Sequence, residues 1–365
     1  MSKLNSLVQG FNAPRRARGP HGLFDLEEGR VLAEVRRLGV KRLLIQAPEG
    51  LKAHAISLAR LVEKETGCQA YVSGSPCFGA CNLAVREAEA LGAELLIHLG
   101  HTELVSSGAL KVLYMEARSN VDIVPVTEKS LPLLEPYRRI GLITTVQHAR
   151  RLAKAKCFLE SRGKEVYVGR GSKGVRYPGQ VIGCDYASAE KVQRQAEAFL
   201  FIGGGLFHPL GAALKTGMPV IAADPFTGEV KDLSETVRRV QRQRYAAIEA
   251  AREAKSFGVL SSIQPGQASQ SLAEALAEKL RRHGREAYLI SVSIIEPSEL
   301  EAFTNIDAYV NTACPRISLE DSPRFSKPIL NADEALILLG EASWSEYIKE
   351  KPEGKMSGDL EPREL

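Results

Sequence analysis

Three cysteines stand in short segments containing Gly or Pro, each past a predicted strand. Cys81 lies in Phe78-Gly79-Ala80-Cys81-Asn82-Leu83, Cys184 in Val181-Ile182-Gly183-Cys184-Asp185-Tyr186 and Cys314 in Asn311-Thr312-Ala313-Cys314-Pro315-Arg316. They are more than a hundred residues apart, so they cannot form a compact zinc knuckle, whose ligands are spaced by a few residues. Three thiolates converging from three segments suit a 4Fe–4S cluster with one iron left without a protein ligand. By the logic of metal sites, an open position marks catalysis, whereas a closed ligand set marks structure.

A single free cysteine is more often a small buried hydrophobe than a ligand. The ligand reading rests on three of them at the carboxyl edges of predicted parallel strands, where α/β sheets bind their ligands. Cys81 and Cys184 each follow the second strand of a repeat, and Cys314 follows a third strand. Six cysteines are present in all. Cys68 fills a variable slot between Gly67 and Gln69, and Cys157 falls inside a predicted helix from Gln147 to Ser161. Cys77 is read as a loop thiol lining the same pocket as Cys81. The alternative, a zinc or cluster ligand paired with Cys81, has no counterpart in the other two repeats.

The elements that must position these thiols occur three times. Gly67-Cys68-Gln69-Ala70-Tyr71-Val72, Gly163-Lys164-Glu165-Val166-Tyr167-Val168 and Gly284-Arg285-Glu286-Ala287-Tyr288-Leu289 share one frame. Each is preceded by a helical stretch, and that by an apolar strand at Arg42–Ile45, Ile140–Ile143 or Phe257–Leu260. The first helix carries Leu51, Ala55, Leu58 and Val62, and the third carries Leu272, Leu276 and Leu280, both at helical spacing. Each helix stops at a glycine, the residue best suited to a left-handed C′ position. Further strands are predicted at 94–98 and 111–115, at 198–202 and 219–222, and at 307–311 and 328–330.

Strands alternating with helices predict an α/β fold of three similar small parallel-sheet domains flanked by helices. A pseudo-threefold triangle of such domains would bring the three thiols to a central cluster site. The expected divisions are a basic arm at 1–22, domains at 23–134, 135–255 and 256–348, and a charged tail at 349–365. A long charged helix at about 231–255 links the second domain to the third, and an added N-terminal helix carries Val31, Leu32, Val35 and Leu38.

Composition sets bounds on function. Hydrophobic residues make up 44% and charged residues 25%, ordinary values for a globular protein. No apolar run approaches the roughly 20 residues that span a bilayer, and the first 22 residues lack an apolar leader core. Cysteines without a secretory signal point to a reducing compartment, hence the cytoplasm. The formal net charge of +4 is too mild to mark a nucleic-acid binder but suits an acidic protein partner. No Gly-rich loop ending in Lys-Ser or Lys-Thr occurs, which argues against a P-loop nucleotide site.

Together these motifs resemble the archaeal-type diphthamide synthase family. The resemblance rests on Phe78 to Ala84, Gly179 to Tyr186 and Asn311 to Ile317. His98-Leu99-Gly100-His101, Thr144 to His148 and Phe207-His208-Pro209 support it, and it covers roughly residues 24 to 345. It implies a homodimer, an electron donor, a 4Fe–4S cluster on Cys81, Cys184 and Cys314, and S-adenosylmethionine at the open iron. It also implies reductive cleavage between sulfur and the methionine Cγ, with release of methylthioadenosine. The 3-amino-3-carboxypropyl group then joins the imidazole carbon of a histidine in translation elongation factor 2, the first step of diphthamide biosynthesis. Which C–S bond breaks is a matter of positioning. Residue 78 is Phe where the family commonly has Tyr. The closely spaced three-cysteine motif of conventional radical S-adenosylmethionine enzymes is absent, as this unconventional family implies.

Arg316 is a candidate for the carboxylate of the bound S-adenosylmethionine, since a guanidinium binds carboxylates bidentately; a surface ion pair with Glu320 or Asp321 is the alternative. Gly266 and Gln267 are expected to open the helix of the third unit and offer N–H groups to an anion or ribose oxygen. His101 and His148 are candidate pocket residues. A quinolinate-synthase-like 4Fe–4S lyase or dehydratase acting on a small molecule is the rival enzyme. A redox or iron-sensing protein is the alternative from a different class.

Overall fold

Short apolar runs become strands, the central ones buried on both faces, and three mainly parallel sheets result beside a two-stranded ribbon of Phe24–Asp25 with Arg118–Ser119. The computed structural model describes residues 22–348 except Ser107, Lys173 and Ala268. The expected arm, apart from Gly22, and the expected tail lie outside the described residues. The first sheet contains β1 (Arg42–Gln46), β2 (Gln69–Val72), β3 (Leu95–Leu99) and β4 (Lys111–Met115) in the order β2-β1-β3-β4, all parallel. The second repeats that order with β5 (Arg139–Thr144), β6 (Glu165–Tyr167), β7 (Ala198–Ile202) and β8 (Val220–Asp224). The third repeats it again with β10 (Ser256–Ser262), β11 (Glu286–Val292), β12 (Ala308–Asn311) and β13 (Ile329–Asn331). An antiparallel edge strand, β9 (Glu229–Asp232), is added to β8.

Helices cover the sheets through apolar stripes at helical spacing. Helix α1 (Glu28–Leu38) buries Val31 and Val35. Helix α2 (Lys52–Thr66) buries Ala55, Leu58, Ala59 and Val62, and stops at Gly67 with φ 70°. Helix α3 (Leu152–Ser161) buries Leu152, Ala155 and Leu159. Helix α5 (Gln270–Arg282) buries Ala273, Leu276, Ala277 and Leu280. Leu272, expected on that stripe, is exposed; the stripe is centred on the two alanines, which lets the helix approach its sheet closely.

Two predicted helices are shorter than expected. The stretch from 147 to 161 divides into Val146–Ala149 and α3, leaving Cys157 exposed on α3. The linking helix is α4 (Ser234–Ala250), and its expected first turn belongs instead to β9. The turn Asp224-Pro225-Phe226-Thr227-Gly228 explains this difference. The Asp224 carboxylate accepts from Phe226 N–H at 2.8 Å, its carbonyl accepts from Gly228 N–H at 2.8 Å, and Gly228 has φ 71°. Such a turn closes a hairpin before any helix can start.

A buried ion pair fastens α4 to the third unit. Arg244, 3% exposed, forks onto Glu334, 0% exposed, with Nε to Oε1 at 2.8 Å and Nη2 to Oε2 at 2.5 Å. The guanidinium also donates to the carbonyls of Ser318 and Ile329 at 2.8 and 2.7 Å. The carboxylate further accepts from Asn331 N–H at 2.8 Å and from the Tyr347 hydroxyl at 3.0 Å. Removing one partner of such a pair strands a buried charge. Glu334→Ala is therefore expected to destabilise the fold by about 3–5 kcal/mol. The apolar double replacement Arg244→Met with Glu334→Leu is expected to recover most of that loss, as read by the denaturant midpoint.

Candidate active site

The loop after β2 is shaped by Asn82. Its side-chain oxygen accepts from Phe78 N–H at 3.0 Å and its amide donates to the Pro76 carbonyl at 2.9 Å, while its own carbonyl accepts from Gln46 Nε2 at 2.8 Å. Ala80 and Leu83 are buried beneath the loop, so Cys81 is held between anchored neighbours. Across from it, Gly266 N–H donates to the Cys81 carbonyl at 2.8 Å. A Cβ on Gly266 would fall 2.5 Å from Cys81 Cα, a contact only glycine permits. Gln267 Nε2 donates to Cys81 Sγ at 3.4 Å.

Cys184 occupies the tip of a tight turn. Val181 N–H donates to the Thr144 carbonyl at 2.8 Å, which extends the segment beside β5, and Ile182 and Asp185 exchange backbone hydrogen bonds at 3.1 and 3.0 Å. The two residues at the tip are Gly183 and Cys184. A Cβ on Gly183 would meet Phe207 at 2.2 Å, so the glycine admits that ring. Cys314 follows β12 on a turn capped by Asn311, whose oxygen accepts from Ala313 N–H at 2.9 Å and whose amide donates to the Cys314 carbonyl at 2.8 Å.

The structure brings the three thiols into mutual electrostatic range. Cys184 is exposed at the tip of its turn, yet the protein crowded around its sulfur, then the nearby Cys81 and Cys314, push the thiol up to about 11. Burial raises Cys314 as well, with Cys81 adding to the effect against a lowering backbone N–H from Arg316. Cys68 instead joins the core of the first sheet. Cys77, 5% exposed, is deeper than a loop thiol lining a pocket, because its sulfur packs toward His98 and His101.

The other predicted residues are redistributed. Gly266 and Gln267 do not open α5, which starts at Gln270. Their N–H groups are engaged by the Cys81 and Gln264 carbonyls at 2.8 and 3.0 Å, so neither is offered to an anion. Arg316 takes the ion-pair geometry, with Asp321 at 3.0 Å and Glu320 at 3.8 Å, and its guanidinium lies 4.8 Å from the Phe78 ring centroid. His101 hydrogen-bonds His98 at 3.0 Å. His148 is buried against Phe226, ring centroids 5.3 Å apart, and neither ring nitrogen has a partner among the described residues. It packs between units and lines neither cavity at the thiols.

Two cavities reach the cysteines. The larger, about 710 Å³, runs from Cys184 and Tyr186 to Asn311, Pro315 and Tyr347. A narrow cleft on the other side is lined by Phe78, Gln267, Cys314 and Arg316. The roles of Gln46 and Asn82, and the side-chain contact of Gln267, which the sequence offered only through its N–H, carry no periodic signal because they are polar groups that hold loops.

The family model for diphthamide synthesis proteins matches residues 47–349, a span that includes all three cysteine turns. The chain belongs to the diphthamide synthesis protein family. Within it, the chain is 40% identical to the 2-(3-amino-3-carboxypropyl)histidine synthase of Pyrococcus horikoshii, over 87% of this chain and 91% of that protein. It is 30% identical to subunit 1 of the Gallus gallus enzyme of that name, over 88% and 78%. The crystal structure of Dph2 from Pyrococcus horikoshii with a 4Fe-4S cluster superposes with a TM-score of 0.79 at 39% identity, covering 87% of this chain and 91% of that one. Membership in the diphthamide family sets aside the small-molecule lyase and the iron sensor. Among the described residues no helix is long and apolar enough to cross a membrane.

Two outcomes follow from the packing. Gly266→Ala is expected to displace the Cys81 loop and cut iron retention after anaerobic reconstitution, whereas Gly29→Ala in α1, where an added Cβ meets nothing within 4 Å and the backbone is helical, is expected to leave it unchanged. The second outcome concerns pH. Burial holds the His148 imidazole down at about 4, against about 6.5 in an unfolded chain. The unfolded state therefore takes up the proton first, and stability present above pH 6.5 is lost as pH falls toward 4, by roughly 3 kcal/mol. His98, His101 and His208 are held down by burial as well, so His148→Phe is expected to make the profile less steep in that window without flattening it, measured by denaturant titration at stepped pH.

Proposed function

We propose that this chain transfers the 3-amino-3-carboxypropyl group of S-adenosylmethionine to a histidine of translation elongation factor 2, using a 4Fe–4S cluster held by Cys81, Cys184 and Cys314. The observation that carries this reading is the convergence of one thiol from each of three separate sheets. The donor set fits the cluster. Thiols raised by the surrounding protein and by one another are relieved when iron replaces their protons, and three ligands match a cluster with one open iron. When bound, the cluster would supply the electron and the open coordination position for cleaving a sulfonium C–S bond.

The chain's own residues supply position. Asn82 and Asn311 fix the turns that carry Cys81 and Cys314. Gln267 donates to the Cys81 sulfur, the kind of contact that tunes a cluster's potential. The larger cavity lies within the usual size range of ligand pockets and offers both aromatic and amide surface, so we assign S-adenosylmethionine and the incoming histidine to it. The candidate for the ligand carboxylate, Arg316, lines the narrow cleft instead, so the amino-acid end of S-adenosylmethionine would extend from the cavity past Cys314 into that cleft and compete with Asp321 for the guanidinium. The same reading includes a homodimer, a one-electron donor and a cytoplasmic place of action.

Anaerobically reconstituted protein is expected to bind about four iron atoms per chain, and Cys81→Ala, Cys184→Ala and Cys314→Ala each to lose them, while Cys68→Ala and Cys157→Ala keep them. With reductant and S-adenosylmethionine, mass spectrometry of elongation factor 2 should show one aminocarboxypropyl group on a histidine, with methylthioadenosine released. 5′-Deoxyadenosine as the main product would refute the assigned cleavage.

A further inference from the structure

Beneath the Cys81 loop lies a second group of donors that the proposed reaction does not use. His98, in β3, is fully buried, and its Nδ1 is 2.9 Å from Gln46 Oε1. The Gln46 amide cannot turn over, because its Nε2 donates to the Asn82 carbonyl at 2.8 Å and its Oε1 accepts from Ala84 N–H at 3.1 Å. Two backbone groups thus decide the histidine tautomer. Nδ1 of His98 must carry the proton and Nε2 presents its lone pair. That lone pair faces His101 Nδ1 at 3.0 Å, and the Cys77 sulfur lies with one ring nitrogen of each histidine inside a sphere of contacts no longer than 4.8 Å.

We propose that Cys77, His98 and His101 form a second metal site, selective for zinc or a similar borderline-soft divalent cation. One sulfur and two imidazoles suit that class of ion, whereas calcium and magnesium require oxygen ligands. Bonds of about 2.0–2.3 Å in a tetrahedron bring ligand atoms to roughly 3.3–3.8 Å from one another. The present spread exceeds this by about one ångström, within reach of a turn of the thiol. Gln46 is the outer partner that orients the first imidazole, an arrangement typical of metal-bound histidines.

Protonation favours the ion at the nitrogens and opposes it at the sulfur. Burial lowers His98 well below the usual imidazole range and His101 to about 4, so neither ring carries a competing proton at neutral pH. Burial pushes the Cys77 thiol up to about 12, although Gly79 N–H donates to the sulfur. On binding, the Cys77 S–H bond breaks, a sulfur–metal bond forms and one proton leaves to solvent. His101 exchanges its Nδ1 proton for one on Nε2 and releases none. The site needs no oxidant or reductant and does not depend on the reaction assigned above. Its consequence is mechanical, since Cys77 and Cys81 share one loop and a metal at the first would brace the second.

The test uses cluster-loaded protein equilibrated anaerobically with zinc sulfate and desalted, with zinc and iron counted per chain and the zinc donors read by X-ray absorption. One zinc per chain is expected beside an unchanged iron count, with one sulfur and two imidazoles around it. Cys77→Ser and His101→Ala are each expected to lower retained zinc ~10-fold or more while iron stays. The proposal is overturned if wild-type protein retains no stoichiometric zinc or if its zinc shell holds two or three sulfurs. It is also overturned if variants that keep iron keep zinc as well. Should either variant fail to fold, the wild-type count and donor set decide alone.

Discussion

Gly266 meets Cys81 backbone to backbone, and that approach sets how the first and third units meet at the site. A hydrogen bond of 2.8 Å crosses between units there, at a point where a single methyl group would collide with Cys81 Cα. The contact joins main chain to main chain, so it fixes the loop itself and leaves the thiol free. The Gln267 amide can then reach the sulfur. The Arg244–Glu334 fork performs the matching task between α4 and the third unit. Through the Ser318 carbonyl it also holds the turn that follows Cys314.

These two constraints differ in kind. The glycine contact is steric and local, and it tolerates no replacement that adds a side chain. The ion pair is electrostatic and fully desolvated. Its value lies less in net stability than in the heavy penalty for separating the partners. Both join parts of the chain that no short-range pattern connects, and together they explain how three similar sheets present dissimilar turns to one point.

Much of this architecture is legible in the sequence because it repeats. Apolar runs, helical stripes and terminating glycines at 67, 163 and 284 all lie within a few residues of their partners, so local reading suffices. The three cysteines are legible because thiols at sheet edges are scarce. What local reading missed depends on distant partners. Cys77 finds His98 from another strand, Gly266 spends its N–H on Cys81, and Arg316 settles on Asp321 and Phe78. Leu272 and the start of α4 failed for a different reason. There, packing of alanines and the turn at Pro225 to Gly228 overrode a plausible helical pattern.

One thiol per sheet also has a thermodynamic meaning. A ligand held jointly by three units binds only the chain in which all three are folded and docked, and by mass action it stabilises that state alone. Local opening of any one sheet, a motion that would ordinarily be independent of its neighbours, becomes coupled to release of the shared ligand. The metal centre would then act as a cooperativity device, turning three modest folding units into one transition, and its loss would be felt first as a return of separate unfolding steps.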